Sequence, residues 1–163
     1  MPSPALRASV PLIASLAFVS LAPAATAILE CTASSNAGPR HSFFFRTSVV
    51  DAWTVERATL FLHAREGATP KSVMVGVQAA PSGWRGAAAP KLQRAAVVAE
   101  PQGWMRIDIP KDFVNGMIVD PNRQLVVQIP KGIEVDGKQP GLVSPYLVVE
   151  GAAATRQVRA IIR

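Results

Sequence analysis

The chain carries a single cysteine, Cys31. A core framed by internal disulfides is therefore excluded. Aromatic residues make up only 6% of the sequence, and no block of like charges occurs. The net charge of +6 comes from scattered arginines and lysines. Such a surface is mildly basic and suits an acidic protein or a sulfated polysaccharide better than nucleic acid, which needs a basic patch or an aromatic stacking motif. The two histidines, His41 and His63, have neither H-x-x-x-H nor H-E-x-x-H spacing, so no metal motif is present. There is no G-x-S-x-G elbow for a serine nucleophile and no glycine-rich phosphate loop. Asn36, Asn115 and Asn122 all lack the Ser or Thr of a glycosylation site. No cofactor is expected. Past the N-terminus no apolar run approaches the roughly 20 residues of a membrane helix, so no membrane span is expected.

Residues 1–27 read as an export signal. Arg7 lies near the start, an uncharged apolar run follows, and Ala25-Thr26-Ala27 is the small-x-small pattern of a signal peptidase site. The expected product is secreted. Residues 28–41, small and polar with Gly and Pro, read as a flexible lead-in. Cys31 falls there. In an oxidising compartment it either pairs with another chain or stays a free thiol.

The remainder reads as strands. Residues 42–50 are aromatic and then β-branched. Residues 54–65 place Ala58, Leu60 and Leu62 on one face and Arg57, Thr59 and His63 on the other. The phase is imperfect, because Glu56 falls with the leucines and Val55 with the arginines. Residues 71–80, 103–109 and 123–131 alternate apolar and polar, and 145–151 is a last strand. Residues 91–100 fit a strand or a short helix. Residues 81–90 read as a Pro/Gly/Ala loop and 132–141 as a turn-rich segment. After Pro110, the spacing of Phe113, Val114, Met117 and Ile118 predicts one short helix of two turns. Several short strands between Gly/Pro turns predict a mainly β, antiparallel sandwich over 42–151, with a basic tail at 152–163.

Few residues invite chemistry. Asp108 and Asp112 could pair as carboxylates, but capping the predicted helix is the commoner role. Trp53, Trp84 and Trp104 would make a sugar-stacking face if they converged, while Trp104 on its own reads as core. An enzyme is not expected.

Taken together, "FFFRTSVVDAWTVERATLFLHAR", "GWMRIDIPKDFVNGMI" and "PYLVVEG" resemble the prodomain of the transforming growth factor-beta superfamily, nearest its activin and inhibin branch. The resemblance covers about residues 42–151, and Leu60, Leu62, Trp104, Asp108 and Tyr146 carry it. It implies an arm-domain sandwich that chaperones, escorts or modulates an activin-like growth-factor dimer or another secreted protein. It also implies a meaning for the tail, where Arg156 and Arg159 fit a minimal R-x-x-R processing pattern, and for Cys31 as a bond to a carrier. The helix and lasso that clamp the growth factor in full prodomains have no counterpart here, and no cysteine-rich growth-factor domain follows. A secreted adhesion or carbohydrate-binding sandwich is the alternative.

Overall fold

The computed structural model describes residues 24–36, 38–50, 53–65, 69–81, 91–115, 123–137 and 143–153. Residues 1–23 of the expected signal, the loop with Trp84, and the tail with Arg156 and Arg159 lie outside them. The strands are β1 (Ala24–Ser35), β2 (Arg40–Arg46), β3 (Trp53–His63), β4 (Ser72–Pro81), β5 (Leu92–Ala99), β6 (Trp104–Ile109), β7 (Arg123–Pro130) and β8 (Tyr146–Ala153). One helical turn, α1, spans Lys111–Asn115.

The strands do not form a sandwich. They close into a ring in the order β1-β2-β7-β4-β5-β6-β3-β8, with every neighbouring pair antiparallel. The alternation read from the sequence is common to both architectures. What separates them is whether the edges pair, and here two strands serve both halves. β1 pairs with β8 through Ala24–Glu30 and with β2 through Cys31–Ser35. β5 pairs with β4 through Leu92–Ala96 and with β6 through Val97–Ala99. Full closure removes the exposed edges that a sandwich keeps. Residues 28–41 are thus no lead-in, since they supply most of β1 and the start of β2.

Inside, one apolar cluster runs the length of the barrel. Phe43, Phe45, Leu60, Leu62, Met105, Ile107, Leu125, Ile129 and Leu147 are fully buried in it. An eight-stranded barrel is just wide enough for side chains to fill. Its two mouths are also plugged. At one end Val50 and Val114 enter from a 3-10 turn (Ser48–Val50) and from α1. At the other, residues 131–137 cross from β7 to β3, which lie on opposite sides of the ring. This strap is anchored by Lys131 N–H on Pro39 O and by the Ala64–Val135 bridge, and it inserts Val135.

Two bulges set the phase. In β3, Val55 faces Gly151 while Arg57 faces Glu150, so Glu56 is an extra residue. The insertion turns Glu56 outward and Val55 inward, which resolves the imperfect alternation of this segment. Asn115 braces the bulge. Its Oδ1 accepts from Val55 N–H at 2.6 Å and its Nδ2 donates to Val55 O at 2.8 Å, as a neighbouring strand would. Gly151 is required opposite, because a Cβ there would collide with Thr54 O. A second bulge at Thr32 lies where β1 passes from β8 to β2. Of the predicted two-turn helix only Lys111–Asn115 is described, its residues 116–120 lying outside the described set.

Candidate functional site

Closure divides the outer surface into two walls. On β2 and β7 the outward Ser42, Phe44, Gln124, Val126 and Gln128 are all buried. Over β8, β3 and β6 most outward side chains are half-open, Thr59 being a buried exception, and here the aromatics collect. The ladder registers align Glu30, Tyr146, Phe61, Arg106 and Val98 in one row across five strands, since each residue faces the next. Phe61 and Tyr146 stack at 4.7 Å with planes 7° apart. Trp104 lies against Tyr146 at 5.4 Å and meets His63 edge-on at 5.5 Å. Strand alternation enforces this display. Leu60, Leu62, Met105 and Ile107 point into the core, so Phe61, His63 and Trp104 point out.

Beside the rings is a shallow groove of about 150 Å³ lined by Arg57, Thr59, Phe61, Arg106, Val148 and Glu150. Arg57 pairs with Asp108 at 3.5 Å, and Arg106 with Glu100 at 3.2 Å. The Nε of Arg106 is buried without a hydrogen-bond partner among the described residues.

At the rim of this wall, His63 is tied on both sides. Its Nδ1 meets Asp136 Oδ2 at 2.8 Å and its Nε2 meets Gln102 O at 3.0 Å. Gln102 (φ +60°) and Gly103 (φ +80°) take left-handed backbone to aim that carbonyl, and a Cβ on Gly103 would sit 3.0 Å from His63 Nε2. Arg65 Nε donates to the other oxygen of Asp136 at 2.8 Å. The hydrogen bond from Arg65 holds the Asp136 carboxyl below its ordinary range, and the His63 bond adds to this against the opposing effect of burial. With acceptors against both ring nitrogens, His63 offers neither to a metal or a substrate. Its dyad with Asp136 fastens the strap to β3. Among the described residues no group of three His, Cys, Asp or Glu side chains is placed to hold a metal.

His41 lies at the same mouth in a second cavity of about 220 Å³, with Asn36, Lys131 and Glu134. Its Nδ1 bonds Asn36 Oδ1 at 2.8 Å. Burial lowers its pKa, with Lys131 in support and Glu134 in opposition.

Several expected site residues are relocated. Leu60 and Leu62 are core, but Trp104, Tyr146 and Asp108 face outward on the open wall. Asp108 bonds Arg57 and Thr59 and caps no helix, while Asp112 lies in the first turn of α1. Cys31 is no tail residue. It is 1% exposed and points into the barrel, with Sγ on Ala33 O at 2.9 Å, so the folded chain cannot present it to another protein. Ala25 and Ala27 belong to β1. Trp53 and Trp104 do not converge, since Trp53 begins β3 and Trp104 pairs with its last residue, His63. Phe61 and Arg106 are not among the site residues expected from the sequence, although alternation already places Phe61 with Arg57, Thr59 and His63 and Arg106 with Trp104 and Asp108.

No helix among the described residues is long and apolar enough to cross a membrane. The barrel is apolar within and carries Arg57, Arg106, Asp108 and Glu150 outside, the inverse of a membrane barrel. No protein-family model matches the chain and no curated protein matches it, so the prodomain resemblance rests on its motifs alone.

Proposed function

We propose that this chain is a secreted, non-catalytic binding barrel that docks a protein partner on its open wall, and that the partner is a growth-factor dimer of the activin type. The observation that carries the binding role is the outward Phe61–Tyr146–Trp104 cluster beside Arg57 and Arg106. Tyr, Trp and Arg dominate the energetically important positions of protein interfaces. The filled interior and plugged mouths direct any partner to the outside. The choice of partner comes from the resemblance alone.

The sugar-binding alternative has less support. Trp53 and Trp104 lie at opposite ends of β3, and the Phe61 and Tyr146 faces cover each other.

The test is biolayer interferometry of the secreted chain against an activin-type dimer, with Trp104→Ala in parallel. Saturable binding weakened at least about tenfold by the substitution is expected, the loss of one interface anchor. Absence of binding overturns the choice of partner. Binding that Trp104→Ala leaves unchanged overturns the choice of wall.

A further inference from the structure

The strand that closes the barrel is also the stretch in which export processing is expected. Residues Ala24–Glu30 pair one by one with β8, from Ala24 against Ala152 to Glu30 against Tyr146. A cut after Ala27 would discard the first four residues of β1. Only Ile28, Leu29 and Glu30 would then remain against β8, and the edge of β8 from Val149 to Ala152 would lose its partner. Unpaired strand edges are templates for aggregation.

The discarded residues also behave as part of the fold. Along β1 the burial alternates without a break from Ala24 to Cys31, with Ala25, Ala27, Leu29 and Cys31 the more buried set. Ala27 packs against the core cluster.

A second small-x-small triplet lies just upstream, Ala22-Pro23-Ala24. Small residues at these two positions are what a signal peptidase requires. We propose that processing falls between Ala24 and Ala25, so that the mature chain begins at Ala25 with its closing strand in place. The pairs from Ala25–Gly151 to Glu30–Tyr146 are then all kept. This rests on the reading of the chain as exported.

The experiment is expression of the full chain in secreting cells, followed by intact mass and N-terminal sequencing of the protein in the medium. A start at Ala25 is expected. A start at Ile28 overturns the proposal and leaves export intact. A chain kept inside the cell with its first residues attached overturns both. Purified chains beginning at Ala25 and at Ile28 give an independent reading by hydrogen exchange. Of the β8 amides from Val149 to Ala152, those that point to β1 rather than to β3 should be protected only in the longer chain, and equal protection in both would remove the reason for the proposed cut.

Discussion

The two outer walls of the barrel are built from the same kind of strand and meet opposite fates. Over β2 and β7, outward Ser42, Phe44, Gln124, Val126 and Gln128 are at most 5% exposed. Their polar groups are satisfied inside the protein. Gln128 Nε2 donates to Ser42 Oγ at 2.9 Å, Arg40 Nη1 donates to Gln128 Oε1 at 3.3 Å, and Gln124 Nε2 donates to Pro81 O at 3.1 Å. Over β8, β3 and β6 the charged outward groups are half-exposed and pair as ions, with Arg57 on Asp108 and Arg106 on Glu100. Buried polar groups must be paired to be tolerated, whereas exposed ion pairs contribute little. The first wall therefore stabilises the fold, and the ion pairs of the second add little to it.

Two phenylalanines test that division most directly. Phe44 and Phe61 both point out of the barrel, but Phe44 is fully buried and Phe61 only partly so. Phe44→Ala is expected to cost about 3–5 kcal/mol, the range for truncating a buried ring. Phe61→Ala gives up partial burial and one ring stack, about 1–2 kcal/mol. Urea denaturation of the two variants decides the matter, and equal losses would erase the distinction between the walls.

A polar pair sharpens it at smaller scale. Gln128→Ala strands the Ser42 hydroxyl and the Arg40 contact in a site where Gln128 is 2% exposed. The expected cost is about 2 kcal/mol. Arg57→Ala removes an ion pair whose arginine side chain is 51% exposed, with an expected loss below about 0.5 kcal/mol. An Arg57→Ala variant as damaged as Gln128→Ala would mean that the open wall also carries stability.

Much of the strand content was legible, because alternation is local. Leu60 and Leu62, or Met105 and Ile107, declare their face within a few residues. Closure was not legible, since it depends on β1, whose Ala, Thr and Ser side chains lack the bulk that marks a strand. Its partner β8 lies at the far end of the sequence, and only the folded chain brings the two together. The misplacement of Trp104 has a different cause. Size suggested core, yet its phase with Arg106 and Asp108 already put it outside. Asn115 and Asp136 were invisible for a third reason. Each serves a backbone or side-chain group of β3 that is remote in sequence, Val55 in one case and His63 in the other.

The smallest effect is expected from acid, and it again separates the two sides. His41 belongs to β2, on the side of the buried wall, and burial lowers its pKa below the ordinary 6.5. The unfolded chain therefore takes up this proton before the folded one does. Its contribution to stability is whole above about pH 6.5 and is lost as the pH falls through the lower folded value. Asp136 fastens the strap to β3, on the side of the open wall. Its carboxyl is held below the ordinary 3.8 by Arg65 and then by His63. That contribution is whole above about pH 3.8 and drains only as the pH falls through the lower folded value. On acidification the β2 side should loosen first. Denaturation midpoints from about pH 7 down to about pH 5 should fall more steeply in the wild type than in His41→Gln, while Asp136→Asn should flatten only the limb below the carboxylate range. If His41→Gln kept the full slope near neutrality, the proton responsible would lie elsewhere, and the two sides of this mouth would no longer differ in the way the two walls do.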